Sequence, residues 1–400
     1  MKSGMSSRRL GLIDDHIERN YIDTGKFTGS LVGIYRKGRL VHDSTMGLMD
    51  RERKKPVEWD TVFRIFSMTK PVTSVALMML FEKGLIQLDD PVYRYIPSFR
   101  KLEVYVSGVD GSFETRAPDR SLTIKDLLSH QSGFTYDFLK ENEIDAAYSS
   151  RGIGSATQKD LASLIDSLSD LPLLFSPGDR WNYSVSTDVC GHLVELISGQ
   201  SLDTFFYENI FEPLGMSDTG FYVPAVDIPR FSANYLYNLN GLPKLLDDPL
   251  KSRFIKRPSF LSGGGGLVST AEDYLSFCRM ILGGGELNGN RILSRKTIDL
   301  MSANHLTGGV DLAEVASGRW SETSYQGMGF GLGFSVVKDP SMTLVPGSVG
   351  ELAWGGMANT AFWIDPLEDM AVVFMTQLVP SGIYNIRREL RTLVYSAIED

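Results

Sequence analysis

Cysteine is almost absent from this 400-residue chain: Cys190 and Cys278 are the only two. Two isolated thiols build neither a disulfide framework nor a four-ligand zinc site, so both are expected to be free core residues. Histidine is nearly as scarce. His16, His42, His130, His192 and His305 include no pair at the i, i+4 spacing of a zinc-binding helix, and no metal is expected. Long apolar runs are missing too. The longest, 75–81, falls far short of the ~20 residues that span a bilayer. Residues 1–21 carry Arg8, Arg9, Asp14, Asp15, Glu18 and Arg19 with no apolar stretch between them, so no export leader is expected and the cytoplasm is the expected compartment. Nor is there a surplus of positive charge. Lys+Arg total 40 against 49 Asp+Glu, a net of −9 that argues against a nucleic-acid or anionic-membrane partner. The four glycines at 263–266 lack the Lys-Ser or Lys-Thr of a phosphate loop. Gly327, Gly329, Gly331 and Gly333 alternate inside a strand-like run, which suits close backbone approach in a sheet and not a nucleotide fingerprint. No serine has glycine at both −2 and +2, so the nucleophile elbow of an α/β-hydrolase is missing.

What remains is an ordinary globular composition, 42% hydrophobic and 22% charged. The length exceeds what a single core usually supports, so two lobes are expected. Apolar periodicity predicts helices at 10–21, 67–88, 121–130, 161–168, 186–197, 202–211, 271–281 and 385–398. It predicts a hairpin over 31–36 and 39–42 around Lys37-Gly38, and strands at 330–338, 361–364 and 370–376. Strands thus sit at both ends of the chain, and 67–211 reads as mostly helical. The expected organisation is a sheet lobe from 1–66 and 260–400, a helical lobe from 67–259, and an active site in the cleft between them.

One chemical constellation stands out, Ser-x-x-Lys, and it occurs three times: Ser67/Lys70, Ser98/Lys101 and Ser335/Lys338. Residues three apart share a face on a helix but point to opposite faces of a strand. Ser335/Lys338 lies in a strand pattern and Ser98 follows Pro97 in a polar connection. Only Ser67 opens a long apolar helix, where Lys70 can reach its hydroxyl. Pro71 lacks the N–H that would bond the Ser67 carbonyl, so the helix must begin close to Ser67. That end concentrates unpaired N–H groups and positive dipole, which would stabilise an oxyanion. A serine hydroxyl needs a base. A lysine serves if burial or a neighbouring cation lowers its pKa, and a tyrosinate serves if cations stabilise it; the residues leave both open. Two further motifs accompany the pair: Tyr183-Ser184-Val185 after a Pro177-Gly178 turn, and Trp354-Gly355-Gly356-Met357.

Ser67-Met68-Thr69-Lys70, Tyr183-Ser184-Val185 and Trp354-Gly355-Gly356 together resemble the penicillin-recognising serine hydrolases, and within them the family VIII carboxylesterases. The segments 126–133, 213–216 and 265–273 agree with this, so the resemblance runs over about residues 10–395. It implies an α+β, β-lactamase/transpeptidase-like fold: an antiparallel sheet flanked by helices, with an inserted, mostly helical lobe. It implies a cofactor-free serine esterase acting on a small-molecule ester through an acyl-enzyme. Ser67 would be the nucleophile, with Lys70 and Tyr183 sharing its activation. The backbone N–H groups of Ser67 and Met357 would form the oxyanion hole. Trp354, Gly355, Gly356, Val185 and Tyr136 would contact substrate. The same residues would serve an acyltransferase, or a weak β-lactamase or D-amino-acid amidase.

This chain departs from the β-lactamases at two positions. Val185 stands where they usually carry Asn, and Trp354 where they carry Lys. A lysine–carboxylate contact is a charge-assisted bond of about 1.5–3 kcal/mol, so its loss is expected to favour neutral acyl esters over anionic lactams. Residues 300–326, with Trp320 and Tyr325, are expected to cover the cleft, and Phe134, Tyr136 and Phe138 to line its other side.

Overall fold

The structure, a computed structural model, describes residues 4–154, 158–317 and 325–400. Trp320, and with it part of the expected cleft cover, lies outside the described residues.

The frame is an eight-stranded antiparallel sheet. Its strands are β1 (Gly29–Arg36), β2 (Arg39–Asp50), β3 (Lys55–Pro56), β4 (Met328–Phe330), β5 (Ser335–Val337), β6 (Leu352–Gly355), β7 (Ala361–Asp365) and β8 (Met370–Thr376). They lie in the order β4-β5-β6-β7-β8-β1-β2-β3. Strands from the two ends of the chain meet where β1 pairs with β8, Ser30 opposite Thr376 and Arg36 opposite Met370. The β1–β2 hairpin turns at Lys37 and Gly38, both with positive φ, as a two-residue turn of this twist requires. Strand β8 is buried along its whole length. Its alternate residues supply two different cores. Ala371, Val373 and Met375 join the cluster that runs into the helices, while Met370, Val372 and Phe374 join the cluster under the terminal helices. A strand covered on both faces must be apolar nearly throughout, and this one is from Met370 to Met375.

Six helices define the surroundings of the site: α1 (Ser7–Ile17), α2 (Thr69–Glu82), α3 (Ile124–Leu128), α4 (Ser186–Ser198), α5 (Ala271–Leu282) and α6 (Ile386–Ser396). α1 and α6 cover one sheet face through Leu10, Ile13, Ile17, Ile386, Leu390 and Val394. α5 covers the other, contacting β1, β7 and β8. α2 is buried on nearly all sides and packs along α4, which explains why its sequence is apolar all round rather than striped.

Three sequence expectations need correction. The helix over 67–88 is shorter, ending at Glu82, because Gly84 takes φ 71° just past its end and breaks the repeat. The run 330–338 is not one strand. The chain reverses between β4 and β5, with Gly331 N–H bonded to the Phe334 carbonyl at 2.8 Å, so its alternating glycines belong to a hairpin. The stretch 67–211 also holds a small hairpin, Val104–Ser107 with Glu114–Arg116. Among the described residues no helix is long and apolar enough to cross a membrane, and no group of three His, Cys, Asp or Glu is placed to hold a metal.

Candidate active site

Ser67 sits in a single 3-10 turn, Phe66–Met68, that leads directly into α2. The turn is entered through Phe66 at φ 45°, a left-handed conformation that a bulky residue adopts at a cost of about 1–3 kcal/mol. Such strain persists only where the surroundings enforce it. Here Ile65 N–H bonds the Leu267 carbonyl at 3.1 Å, and the Tyr274 hydroxyl donates to the Met68 carbonyl at 2.8 Å. Pro71 falls in the first turn of α2, where its missing N–H leaves no gap in the helix.

One turn on, the Lys70 ammonium lies 3.4 Å from Ser67 Oγ and donates to the Gly264 carbonyl at 2.7 Å. The side chain is buried and its charge has aromatic walls: Nζ is 4.4 Å from the Tyr183 ring centre and 5.2 Å from that of Tyr136. Ring faces and a carbonyl are the partners that make a buried cation tolerable.

The four-glycine run is what brings that carbonyl within reach. A Cβ on Gly264 would stand 2.6 Å from Asp188 Oδ2 and 2.9 Å from the Tyr136 hydroxyl, so only glycine lets the backbone pass between them. Asp188, on α4, fastens the loop by accepting from Gly264 N–H at 3.0 Å and from the Ser262 hydroxyl at 2.6 Å. Burial raises the Asp188 pKa above the usual carboxylate value, and the nearby Lys70 charge works against that rise. Thr73 holds the neighbouring Gly263 carbonyl at 2.7 Å.

Tyr183 arrives from the loop before α4, buried, with its ring 5.2 Å from Tyr136, 5.2 Å from His130 and 5.5 Å from Trp354. Asn182 fixes the approach through its N–H to the His130 carbonyl and its amide to the Phe134 carbonyl, at 2.9 and 3.0 Å. His130 is fully enclosed and held well below the ordinary imidazole pKa, by burial first and then by the Lys70 charge. Its Nδ1 meets Ser184 Oγ at 3.1 Å, at the head of a hydroxyl chain through Ser186 to Ser132.

The third motif ends β6. A Cβ on Gly356 would lie 2.4 Å from the Ile65 carbonyl, so the Gly-Gly turn is pressed against the chain just before Ser67. Arg387 on α6 donates to the Gly356 and Thr360 carbonyls, both at 2.9 Å, and clamps the turn from the opposite side. Neither Ser67 N–H nor Met357 N–H has a hydrogen-bond partner among the described residues.

Ser67 and Met357 open onto a cavity of about 590 Å³. Its apolar wall is Phe66, Tyr136, Phe138, Phe221, Phe254 and Phe260, with Tyr136 and Phe138 stacked 4.6 Å apart. Tyr136 therefore stands at the cavity as expected, and Phe138 beside it. Four of the expected substrate contacts do not line this space. Val185 is wholly buried, and its N–H is tied to the Thr135 carbonyl. Gly355 and Gly356 are buried in the strand end. Trp354 is 2% exposed and packs behind Tyr183, edge-on to Phe330 at 5.4 Å. β-Strand alternation turns its ring into the aromatic layer that backs the site, not into the cavity. Phe134 is likewise core, tilted on Phe99. Tyr325 packs edge-on to Trp181 at 6.2 Å.

A buried Trp354 carries a stability prediction. Trp354→Lys is expected to cost about 3–5 kcal/mol, because it leaves an unpaired ammonium among rings close to Lys70. Thermal unfolding measures this. A variant as stable as the parent would mean the side chain reaches solvent through the cavity.

Three contributors to the site escape motif reading: the Gly264 carbonyl, Asp188 and His130. The glycine run was visible, but its use as a lysine acceptor is not a local property of the chain.

The family model described as beta-lactamase matches residues 15–395. The chain is 36% identical over 365 residues to Protein Rv1367c of Mycobacterium tuberculosis (strain ATCC 25618 / H37Rv), covering 90% of this chain and 88% of that one. It is 28% identical over 394 residues to Esterase EstB of Burkholderia gladioli, covering 93% and 91%. Among solved structures it is similar to EstCE1, described as a hydrolase with promiscuous acyltransferase activity, with TM-score 0.79, 28% identity and coverage of 98% and 99%. The expected β-lactamase-like fold is borne out, and so is the resemblance to family VIII esterases that the motifs carry. With its sheet, its helices and nearly its whole length accounted for in this way, the chain belongs to the β-lactamase family and is a serine hydrolase.

Proposed function

We propose that the chain is a carboxylesterase that cleaves short to medium acyl esters through an acyl-enzyme on Ser67. The observation that carries this reading is the 3.4 Å approach of the Lys70 ammonium to Ser67 Oγ at the floor of an aromatic cavity. Ser67 Oγ attacks the ester carbonyl and passes its proton to whichever member of the pair is unprotonated, the Lys70 amine or the Tyr183 phenolate, the other member staying protonated. The oxyanion is held by the N–H groups of Ser67 and Met357, which have no other hydrogen-bond partner among the described residues. The tetrahedral intermediate expels the alkoxide, which takes a proton back from the pair. Water then repeats the sequence on the acyl-enzyme and frees the acid. EstB, an esterase by name, supports the hydrolytic outcome. EstCE1, with its acyltransferase side activity, supports a second reading in which an alcohol replaces water in the last step.

A panel of p-nitrophenyl esters from acetate to octanoate, run beside nitrocefin, tests the reading. Turnover of the shorter esters with little or no nitrocefin cleavage is expected. Nitrocefin turnover above that of every ester would reverse the assignment. The proposed oxyanion hole has its own test. Gly356→Ala forces the turn off the Ile65 carbonyl and so moves Met357 N–H relative to Ser67. Turnover should fall about tenfold or more, since a whole oxyanion donor is worth about 10²–10³. An unchanged kcat in this variant would remove Met357 from the hole.

A further inference from the structure

The esterase reading leaves one part of the cavity unexplained. The segment 253–260 brings Arg253, Lys256 and Arg257 to the lining. Arg257 is occupied by an ion pair to Asp203. Arg253 and Lys256 have neither a hydrogen bond nor an ion pair among the described residues, and both are exposed. Asp247, whose charge acts on Arg253, is engaged by Arg64 and by the Ser252 hydroxyl, each at 2.8 Å.

Arg253 makes no close ion pair among the described residues, although the Asp247 charge favours its charged form from further off. It stands close enough to the buried Arg64 for their charges to oppose each other. The position is nevertheless well defined. Ser252, itself tied to Arg64 and Asp247, accepts the Phe254 N–H at 3.2 Å, and the Phe254 carbonyl accepts Val223 N–H at 2.7 Å. The Arg253 guanidinium lies 5.0 Å from the Phe254 ring centre, and that ring meets Phe66 edge-on at 6.3 Å. Phe66 is the residue before Ser67. A substrate with its ester at Ser67 and an apolar body along Phe66 and Phe254 would end beside Arg253 and Lys256. The two acids on the cavity lining do not cancel this charge. Asp188 is taken by Gly264, Ser262 and the field of Lys70, and Asp137, between Tyr136 and Phe138 in sequence, makes no ion pair with Arg253 or Lys256 among the described residues.

Resting on the esterase reading, we infer that the enzyme selects esters whose remote end carries a carboxylate, which Arg253 and Lys256 bind at the far wall of the cavity. This revises the expectation of a preference for neutral esters. That expectation relied on Trp354 as a cavity wall, and Trp354 is not on the lining.

Two matched pairs test the inference on the full-length protein. The first is mono-p-nitrophenyl suberate against its methyl ester, read as p-nitrophenol release, with the anion on the acyl side. The second is 6-butyryloxyhexanoate against 6-butyryloxyhexanamide, read as butyrate release, with the anion on the alcohol side. The wild-type enzyme should favour the charged member of at least one pair in kcat/KM by about tenfold, the effect of one charge-assisted contact. R253M/K256M should abolish that preference, and K256E, at an exposed position, should invert it. Raising NaCl from 50 mM to 0.5 M should shrink the wild-type preference without any substitution. A charged-to-neutral ratio that is the same in wild type and R253M/K256M for both pairs overturns the inference. Wild-type enzyme that cleaves neither member of either pair, nor any p-nitrophenyl ester, overturns the esterase reading instead.

Discussion

Ser67→Ala is expected to remove ester hydrolysis by about three orders of magnitude or more while leaving thermal unfolding nearly unchanged. The proposed acyl-enzyme forms on Ser67 Oγ, 3.4 Å from the Lys70 ammonium. Loss of a covalent nucleophile leaves only binding and oxyanion stabilisation, which act on a water attack far less effective than that of a positioned alkoxide. The fold should tolerate the change. Ser67 makes one long contact, to Lys70, whereas the turn around it is held by Ile65, Met68 and Tyr274. Two measurements together decide it: steady-state hydrolysis of p-nitrophenyl butyrate, and labelling by a fluorophosphonate located by peptide mass. Wild-type labelling at Ser67 and none in the variant is the expected pair of results. Retained activity above a few per cent would move the nucleophile elsewhere.

Lys70→Ala and Tyr183→Phe are each expected to lose about 10²–10⁴ in kcat, the range for a positioned proton carrier. The ammonium sits over the Tyr183 ring and next to Ser67 Oγ, so the two side chains form one unit about the hydroxyl. Groups acting as a unit are not additive, and the double variant should lose far less than the product of the single losses. Strict multiplicativity would separate their roles. The two singles also differ in stability. Lys70→Ala leaves the Gly264 carbonyl without its donor and empties a buried volume, costing about 2–4 kcal/mol. Tyr183→Phe keeps the ring that contacts His130, Tyr136 and Trp354, so a shift of under about 1 kcal/mol is expected. Denaturant unfolding of both variants separates a chemical loss from a structural one.

Much of the site was legible because its grammar is local. Ser67 and Lys70 are three residues apart at a helix start, and helical geometry alone puts them on one face. Pro71 marks that start. The Pro177-Gly178 turn before Tyr183 and the glycine pair after Trp354 mark two more places where the backbone must bend or be approached closely. The hairpin of β1 and β2, the helix Leu161–Ser169 and the last helix α6 were readable for the same reason, since periodicity and turn residues act over a few positions. The errors arose where a repeat was interrupted by something distant or subtle. Gly84 cut the α2 pattern short, and the 330–338 run looked continuous because both arms of a tight hairpin are apolar.

The sequence by itself determined the helix start that joins Ser67 and Lys70, and the terminal strands that pair into a sheet, since each of these follows from spacing and composition within a short stretch; its motifs together carried the resemblance to the family. Only the tertiary structure decided which atoms meet across the fold. The Lys70 ammonium finds its acceptor 194 residues away at Gly264, between Asp188 and Tyr136. Trp354 turns into the layer behind Tyr183 because its strand is one of eight, and the faces of a strand are assigned by what packs on the sheet, not by the strand. Arg253 reaches the cavity because Arg64 and Asp247 anchor Ser252, a contact between segments nearly 190 residues apart. Such meetings depend on chain closure over long loops, whose outcome is set by the sum of the core contacts, and no local pattern encodes it.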